Sequence, residues 1–387
     1  MRKTFIRLLF FFLLINQLTN KLQAQDSSRI RISLLTCTPG DELYSIFGHS
    51  AIRVIDSSNI GNDYFDIVYN YGTFDFDAPG FYLKFIRGKL LYYISIERFA
   101  DFKFFYQATN RGMTEQVLDL SAEEKKNIKH LLNENLKEEN KFYKYDFFLD
   151  NCTTRLRDLI VNNKQPHPLL PAVMPTNTTF RHAIHEYLDK GKQYWSKLGI
   201  DILLGARTDG IMTPAQQQFL PDNLMKSLDS CTNYKLVQSS QNLYSISINN
   251  DPNTWFTPML FFSCLLLIFV LLSFSKNKWL QRILSGLDGT LFFLTGLLGI
   301  ILIFMWVSTD HSMTKNNYNL LWAWPTHIIC SFFINSNKKI AKTYFLLSSI
   351  GLTVLLLAWF FLPQQMNNAL LPVVLLLLFR SVSKYRK

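Results

Sequence analysis

The carboxyl third of the chain limits most strongly what it can fold into. From Phe256 to Ser275 run twenty residues without a charge, long enough as a helix to cross a hydrocarbon core. Further apolar stretches cover Thr290 to Ser308, about Tyr318 to Ile334, and Tyr344 to Leu362. The last block, Ala369 to Phe379, is short and reaches spanning length only by drawing in Met366 to Asn368 and Arg380 to Val382. With the preceding part outside, the inner loops carry Lys276, Lys278 and Arg282, then Lys338, Lys339 and Lys342. The tail adds Arg380, Lys384, Arg386 and Lys387, whereas the outer loops hold only Asp310 and Lys315. Basic residues collect on the cytoplasmic side of membrane proteins, so five spans are expected, with the tail inside. A four-span arrangement would strand that tail outside.

The amino end begins with Arg2, Lys3 and Arg7, then an apolar core from Leu8 to Ile15, then Leu22-Gln23-Ala24 before Gln25. That core is too short to span a bilayer and reads as an export signal, with an uncleaved anchor as the alternative. The predicted organisation is a signal peptide over 1–24, a periplasmic catalytic domain over 25–253 and a membrane domain over 254–387, with a short linker at Asn249 to Asn253. The net charge of +11 invites a nucleic-acid reading until it is divided. The signal and the membrane part account for the excess, and the exported region is close to neutral without a basic stripe. No nucleic-acid partner is expected. The partner expected from the spans is the membrane itself.

Within the exported region, Ile30 to Leu34, Ser50 to Ile55, Tyr64 to Tyr71, Leu90 to Glu97 and Thr114 to Leu120 read as strands, with a turn at Ser57 to Asp63. Ser121 to Glu138 opens with Ser-x-x-Glu and spaces Ile128, Leu131, Leu132 and Leu136 as one helical face. A second helix starts near Asn151. Helical pieces follow at Thr179–Leu188, Tyr194–Gly205 and Ala215–Leu228, then a strand pair at Tyr234–Ile248. The fold class is therefore α+β, followed by an α-helical bundle in the membrane. Aromatic residues between Phe74 and Phe105 serve mainly as core, with enough of them to help the domain dip into lipid.

Cys152 sits in the first turn of a predicted helix, after the cap candidates Asp150 and Asn151. A helix amino terminus lowers a thiol pKa and offers N–H groups to an oxyanion, and Arg155 and Arg157 add positive field. A buried structural cysteine is the competing account. A thiolate nucleophile calls for an imidazole, and His49, after Gly48 at the start of a strand, is placed to present one. His130, His182 and His185 lack the HExxH spacing of a zinc protease, and no CxxC pair occurs. No metal or other cofactor is expected. Cys37 and Cys231 are able to pair in an oxidising compartment, though nothing local demands it. In the outer loop 308–325, Asp310, His311, Asn316, Asn317 and Asn319 precede Trp322 and Trp324. This is either a solvated loop with an aromatic belt or a polar lip that holds substrate at headgroup level. His327 reads as a packing residue.

Histidine on an early strand, then Asn-Cys at a helix start, resembles the permuted branch of the papain-like NlpC/P60 superfamily, which includes the lecithin:retinol acyltransferases and the phospholipase A/acyltransferases. The wider pattern is CTPGDELYSIFGHSAIRV, VYNYGTFDF, YDFFLDNCTTRLRD and DILLGARTD, with a multi-span tail and an outer loop containing NNYNLLW. It is similar to the Lnb-type lipoprotein N-acyltransferases over nearly the whole mature chain. The resemblance implies an enzyme that moves an acyl chain from a phospholipid donor, through a cysteine thioester, to the amino-terminal amine of a diacylated lipoprotein acceptor. It carries His49 and Cys152 over as the catalytic pair. The lipid acyltransferases use a second histidine on the next strand, and here that strand has none. Asn70 is the expected third member, with Asp66 second. Arg155, His311 and Asn317 are the expected substrate-side residues. A membrane-anchored phospholipase, a cell-wall peptidase or amidase using the same pair, and a scaffold with structural Cys and His stand as alternatives.

Overall fold

The structure, a computed structural model, describes residues 28–59, 61, 65–245 and 255–386. The expected signal over 1–24, part of the turn after Ser57 and the linker Asn249 to Asn253 lie outside the described residues. The amino-terminal part is built on an antiparallel sheet of seven strands. They are β1 (Ile30–Cys37), β2 (His49–Asp56), β3 (Asp66–Thr73), β4 (Leu91–Arg98), β5 (Met113–Leu118), β6 (Phe142–Lys144) and β7 (Val237–Tyr244). Their spatial order is β6-β4-β3-β2-β1-β5-β7. The helices of this part longer than four residues are α1 (Phe81–Ile86), α2 (Phe99–Ala108), α3 (Ala122–Asn135), α4 (Cys152–Asn163), α5 (Phe180–Lys190), α6 (Tyr194–Leu203) and α7 (Pro221–Asp229).

Alternation along β1 and β2 sends residues to two covered faces. On one face, Ile32, Leu34, Ile52 and Val54 pack with Ile128 and Leu132 of α3, Leu156 and Ile160 of α4, and Leu224 and Leu228 of α7. On the other, Leu35, Cys37 and Ala51 meet Phe102 and Tyr106 of α2. A third cluster joins Ile46, just before His49, to Phe148, just before Cys152, and then to Phe180 and Ile184 of α5 and to Met313. Both loops that enter the site are thus fixed by one apolar core.

Sequence and structure differ at three points here. Helix expected over Ala215–Leu228 is broken into a single turn, Pro214–Gln217, and α7. Pro221 forces Leu220 into an extended conformation, φ −93° and ψ 138°. Instead of a strand pair after Tyr234, the described residues hold β7 alone, which pairs with β5. Helices α1 and α2 arise from aromatic-rich sequence in which apolar residues are too dense to show a helical period.

In the membrane part, α8 (Pro258–Phe274), α9 (Lys278–Val307), α10 (Thr326–Ser331), α11 (Lys339–Ala358) and α12 (Leu371–Arg386) follow. Among the described residues three helical stretches are long and apolar enough to cross a membrane, Lys278–Val307, Lys339–Phe361 and Asn368–Arg386, with Pro258–Phe274 shorter. The expected third span is not a continuous helix. It consists of a 3-10 turn, Tyr318–Leu321, and the six-residue α10. Even so it descends along α9: a Cβ on Gly299 would lie 2.1 Å from the Ala323 carbonyl oxygen, and Asn335 bonds Ser285 near the other end. Irregular backbone is tolerated at membrane depth where it packs on protein; Trp322 and Ala323 are buried here, and Gly299 is what permits so close an approach.

The last helix is longer than its apolar block, and two of its basic residues do not serve as tail charges. Arg380 donates to both oxygens of Asp288 at 2.6 and 2.8 Å, and Lys384 lies 2.8 Å from the same carboxylate. A buried carboxylate needs such partners to be tolerated.

Candidate functional site

Cys152 begins α4 with Asn151 as its N-cap. Asn151 Oδ1 accepts from the Thr154 N–H at 2.9 Å, and Thr154 Oγ1 accepts from the Asn151 N–H at 2.8 Å, a reciprocal capping box. The Asn151 amide donates to the carbonyls of Phe147 and Phe219, at 2.8 and 2.9 Å. One side chain thus both starts the helix and straps it to two neighbouring loops. Among the described hydrogen bonds the N–H groups of Cys152 and Thr153 have no acceptor, so the helix start keeps donors for a developing oxyanion.

His49 is the first residue of β2, and Gly48 before it has φ +79°. A Cβ on Gly48 would also stand 2.7 Å from the Cys37 carbonyl oxygen, so only glycine turns the chain into β2 at this point. His49 Nε2 lies 3.1 Å from Asn70 Oδ1 on β3, and the ring is near enough to the Cys152 sulfur for each group to shift the titration of the other. Asn70 donates in turn to Glu97 Oε1 on β4 at 2.8 Å. A hydrogen-bonded chain His49–Asn70–Glu97 therefore crosses three adjacent strands, with Cys152 at its His49 end.

Burial works against the Cys152 thiolate. The charge and hydrogen bond of His49, the Ser50 backbone N–H and the Thr153 hydroxyl outweigh it and bring the thiol down to about 7. Burial likewise opposes a charged His49, and the Cys152 charge, its hydrogen bond and that of Asn70 together raise the imidazole above its ordinary value. Each group favours the charged form of the other, an arrangement able to supply a thiolate near neutral pH. Burial raises the Glu97 carboxyl despite the Asn70 hydrogen bond. Glu97 was not singled out from the sequence; it is the residue before the last of β4, and only the register Val68↔Glu97 carries it toward Asn70.

Of the other expected residues, Asp66 is taken by Arg53, at 2.6 and 2.7 Å. Arg155 forms a two-point pair with Asp150, at 2.7 and 2.8 Å, and its guanidinium sits 3.5 Å from the centre of the Tyr143 ring. His311 Nε2 lies 3.1 Å from the carbonyls of Phe85 and Ile86, and buried Asn317 donates to those of Ile202 and Leu203. Both side chains join the outer loop of the membrane part to the sheet-bearing part. Ser312 Oγ adds a bond to Asp146, in the loop that leads to Cys152. His327 is buried in the bundle, bonded to the Tyr344 hydroxyl at 2.7 Å. Cys37 and Cys231 are both free thiols. No group of metal-ligating side chains occurs among the described residues.

Compared with known families, residues 17–184 match the Lnb N-terminal periplasmic domain and residues 250–387 match the Lnb transmembrane domain. The chain belongs to the Lnb family. It is accordingly a multi-pass inner-membrane protein whose amino-terminal part faces the periplasm, and the family supports an acyltransferase-type function in lipoprotein maturation. No curated protein and no solved structure matches the chain.

Proposed function

We propose that this Lnb-family chain is a lipoprotein N-acyltransferase that uses Cys152 as nucleophile, His49 as base and Asn70 to orient the imidazole, on a permuted NlpC/P60 framework. What supports this is the hydrogen bond of His49 to Asn70 beside a capped helix start at which His49 and Cys152 each favour the charged form of the other. Histidine on the second strand and cysteine on a later helix is the order that the permuted framework requires.

In the first half-reaction the Cys152 thiolate attacks the ester carbonyl of a phospholipid, and N–H groups at the start of α4 receive the oxyanion. The ester C–O bond breaks, the leaving alkoxide takes the proton held on His49, and a lysophospholipid departs. In the second, the amino-terminal amine of a diacylated lipoprotein attacks the thioester. The C–S bond breaks, the amine proton passes to His49, and the thiolate–imidazolium pair is restored. No cofactor enters. Asp150 and Arg155 hold the entry loop. His311 and Asn317, bonded to backbone carbonyls, shape the substrate rim at headgroup level instead of ligating directly.

The test is purified protein in phospholipid vesicles with a diacylated lipopeptide bearing a free amine, read by mass spectrometry beside Cys152→Ser and His49→Ala. An acyl chain added to the peptide, absent with both variants, is expected. Lysophospholipid formed without acylated peptide would replace the amine by water and make the protein a phospholipase. The absence of both products would overturn the proposal.

A further inference from the structure

Helix α1 turns all of its apolar side chains except Phe81 outward. Tyr82 is 76% exposed, Leu83 60%, Phe85 50% and Ile86 47%, and Phe76 just before the helix is 61% exposed. An aromatic and aliphatic patch of this density facing water is unusual on a folded surface and marks something that covers it. Its position says what that is. The Asp310 N–H donates to the Arg87 carbonyl at 2.9 Å, and His311 holds the carbonyls of Phe85 and Ile86. Asp310 follows by only three residues the end of α9 at Val307, itself an exposed apolar residue at the outer end of a membrane-spanning helix. The carboxyl end of α1 is therefore clamped where α9 leaves the bilayer, which brings its exposed apolar side chains to the level of the membrane surface.

Charge agrees with placement at an interface. From Gly80 to Lys89 the chain contains Lys84, Arg87 and Lys89 and no acid. Lys84 and Lys89 are exposed, with stems long enough to keep their charges among lipid phosphates while neighbouring apolar groups sit deeper. Inward from α1 runs a line of rings: Phe85 to Phe81 at 6.1 Å, Phe81 to Phe74 at 6.0 Å, Phe74 to Tyr92 at 5.3 Å and Tyr92 to Tyr145 at 4.4 Å. Tyr145 and the Cys152 Cβ stand 3.5 and 3.6 Å from where a Cβ on Gly72 would lie, so the line ends at the site.

We infer that α1 is an interfacial helix embedded in the periplasmic leaflet of the inner membrane, its partner the lipid surface and not another protein. The insertion rests on the fold and the membrane topology alone. Its consequence, an apolar path along which a donor's acyl chain reaches Cys152 without crossing water, rests on the acyl-transfer proposal above.

Depth measurement on the full-length protein in phospholipid vesicles tests it. Nitroxide labels are placed singly by Tyr82→Cys, Leu83→Cys and Ile86→Cys, with Lys126→Cys on exposed α3 as the aqueous reference, in a background whose Cys152, Cys231, Cys264 and Cys330 are serine. Relaxation enhancement by oxygen relative to a water-soluble nickel chelate should be several-fold higher at the three α1 positions than at Lys126→Cys. Ratios at α1 equal to that reference would overturn the inference. The measurement needs no turnover, so a failed acyl-transfer proposal would leave its outcome readable.

Discussion

Two cysteines of the same sheet-bearing part, Cys37 at the end of β1 and Cys152 at the start of α4, are both buried and titrate in opposite directions. Burial pushes the Cys37 thiol up to about 12, whereas Cys152 comes down to about 7. Cys37 stands directly across from His49 in the β1–β2 register, so proximity in the fold does not separate them. What separates them is who points at the sulfur. Cys152 receives the imidazole of His49, the Ser50 N–H and the Thr153 hydroxyl at the open end of a helix. Cys37 lies among Leu35, Ala51, Phe102 and Met113, with Arg111 and the Tyr106 hydroxyl too little to offset burial. Desolvation alone keeps a thiol protonated; donors aimed at it favour the thiolate.

The contrast breaks most severely if the two cysteines are exchanged in importance. Cys152→Ser should lower lipopeptide acylation by roughly 10⁴-fold or more, the scale of losing a covalent nucleophile, whereas Cys37→Ala should leave turnover near wild type in the same assay. Removing the imidazole comes next. His49→Ala should cost about 10²- to 10⁴-fold in turnover. It should also move the pH profile of Cys152 alkylation: in the wild type the rate should rise with pH through a midpoint of about 7, because the thiolate is the reactive form. In the variant that midpoint should shift upward, since the groups that lowered the thiol pKa are reduced. Cys37 should stay unalkylated in the folded protein throughout.

Asn70 acts on the sulfur only through His49. Asn70→Ala should lower kcat by on the order of 10- to 100-fold, the cost of a misplaced base, with KM little changed. Glu97→Gln keeps an acceptor for Asn70, and its loss in kcat should be the smaller of the two in parallel kinetics. The mildest catalytic effect and the clearest stability effect belong to the cap. Asn151→Ala should destabilise the protein by about 1–2 kcal/mol, seen as a lower unfolding midpoint in detergent. Because that cap also fixes the donors at the sulfur, Cys152 alkylation at neutral pH should slow as well.

Much of this was legible in the chain. The spans are written in runs without charge and in the inward bias of Lys and Arg, since hydrocarbon admits little else. Ser121 and Glu124 announce α3, and Asn151 announces α4, because caps act within four residues of themselves. Cys152 and His49 stood out for local reasons, a helix start and a glycine-led strand. Other features required residues far apart to meet. The third pass loses its helix to Pro325 and to packing on Gly299, Arg380 and Lys384 leave the tail to meet Asp288, and Glu97 joins the site through strand register. His311 and Asn317 read as a polar lip and become ties between the two parts of the molecule. Local sequence determines elements, caps and topology because their physics acts over a few residues or over bulk hydropathy. Which polar groups end as partners, and therefore which buried thiol is held toward its thiolate, depends on contacts between residues as distant as 49 and 152, and only the tertiary structure decided that.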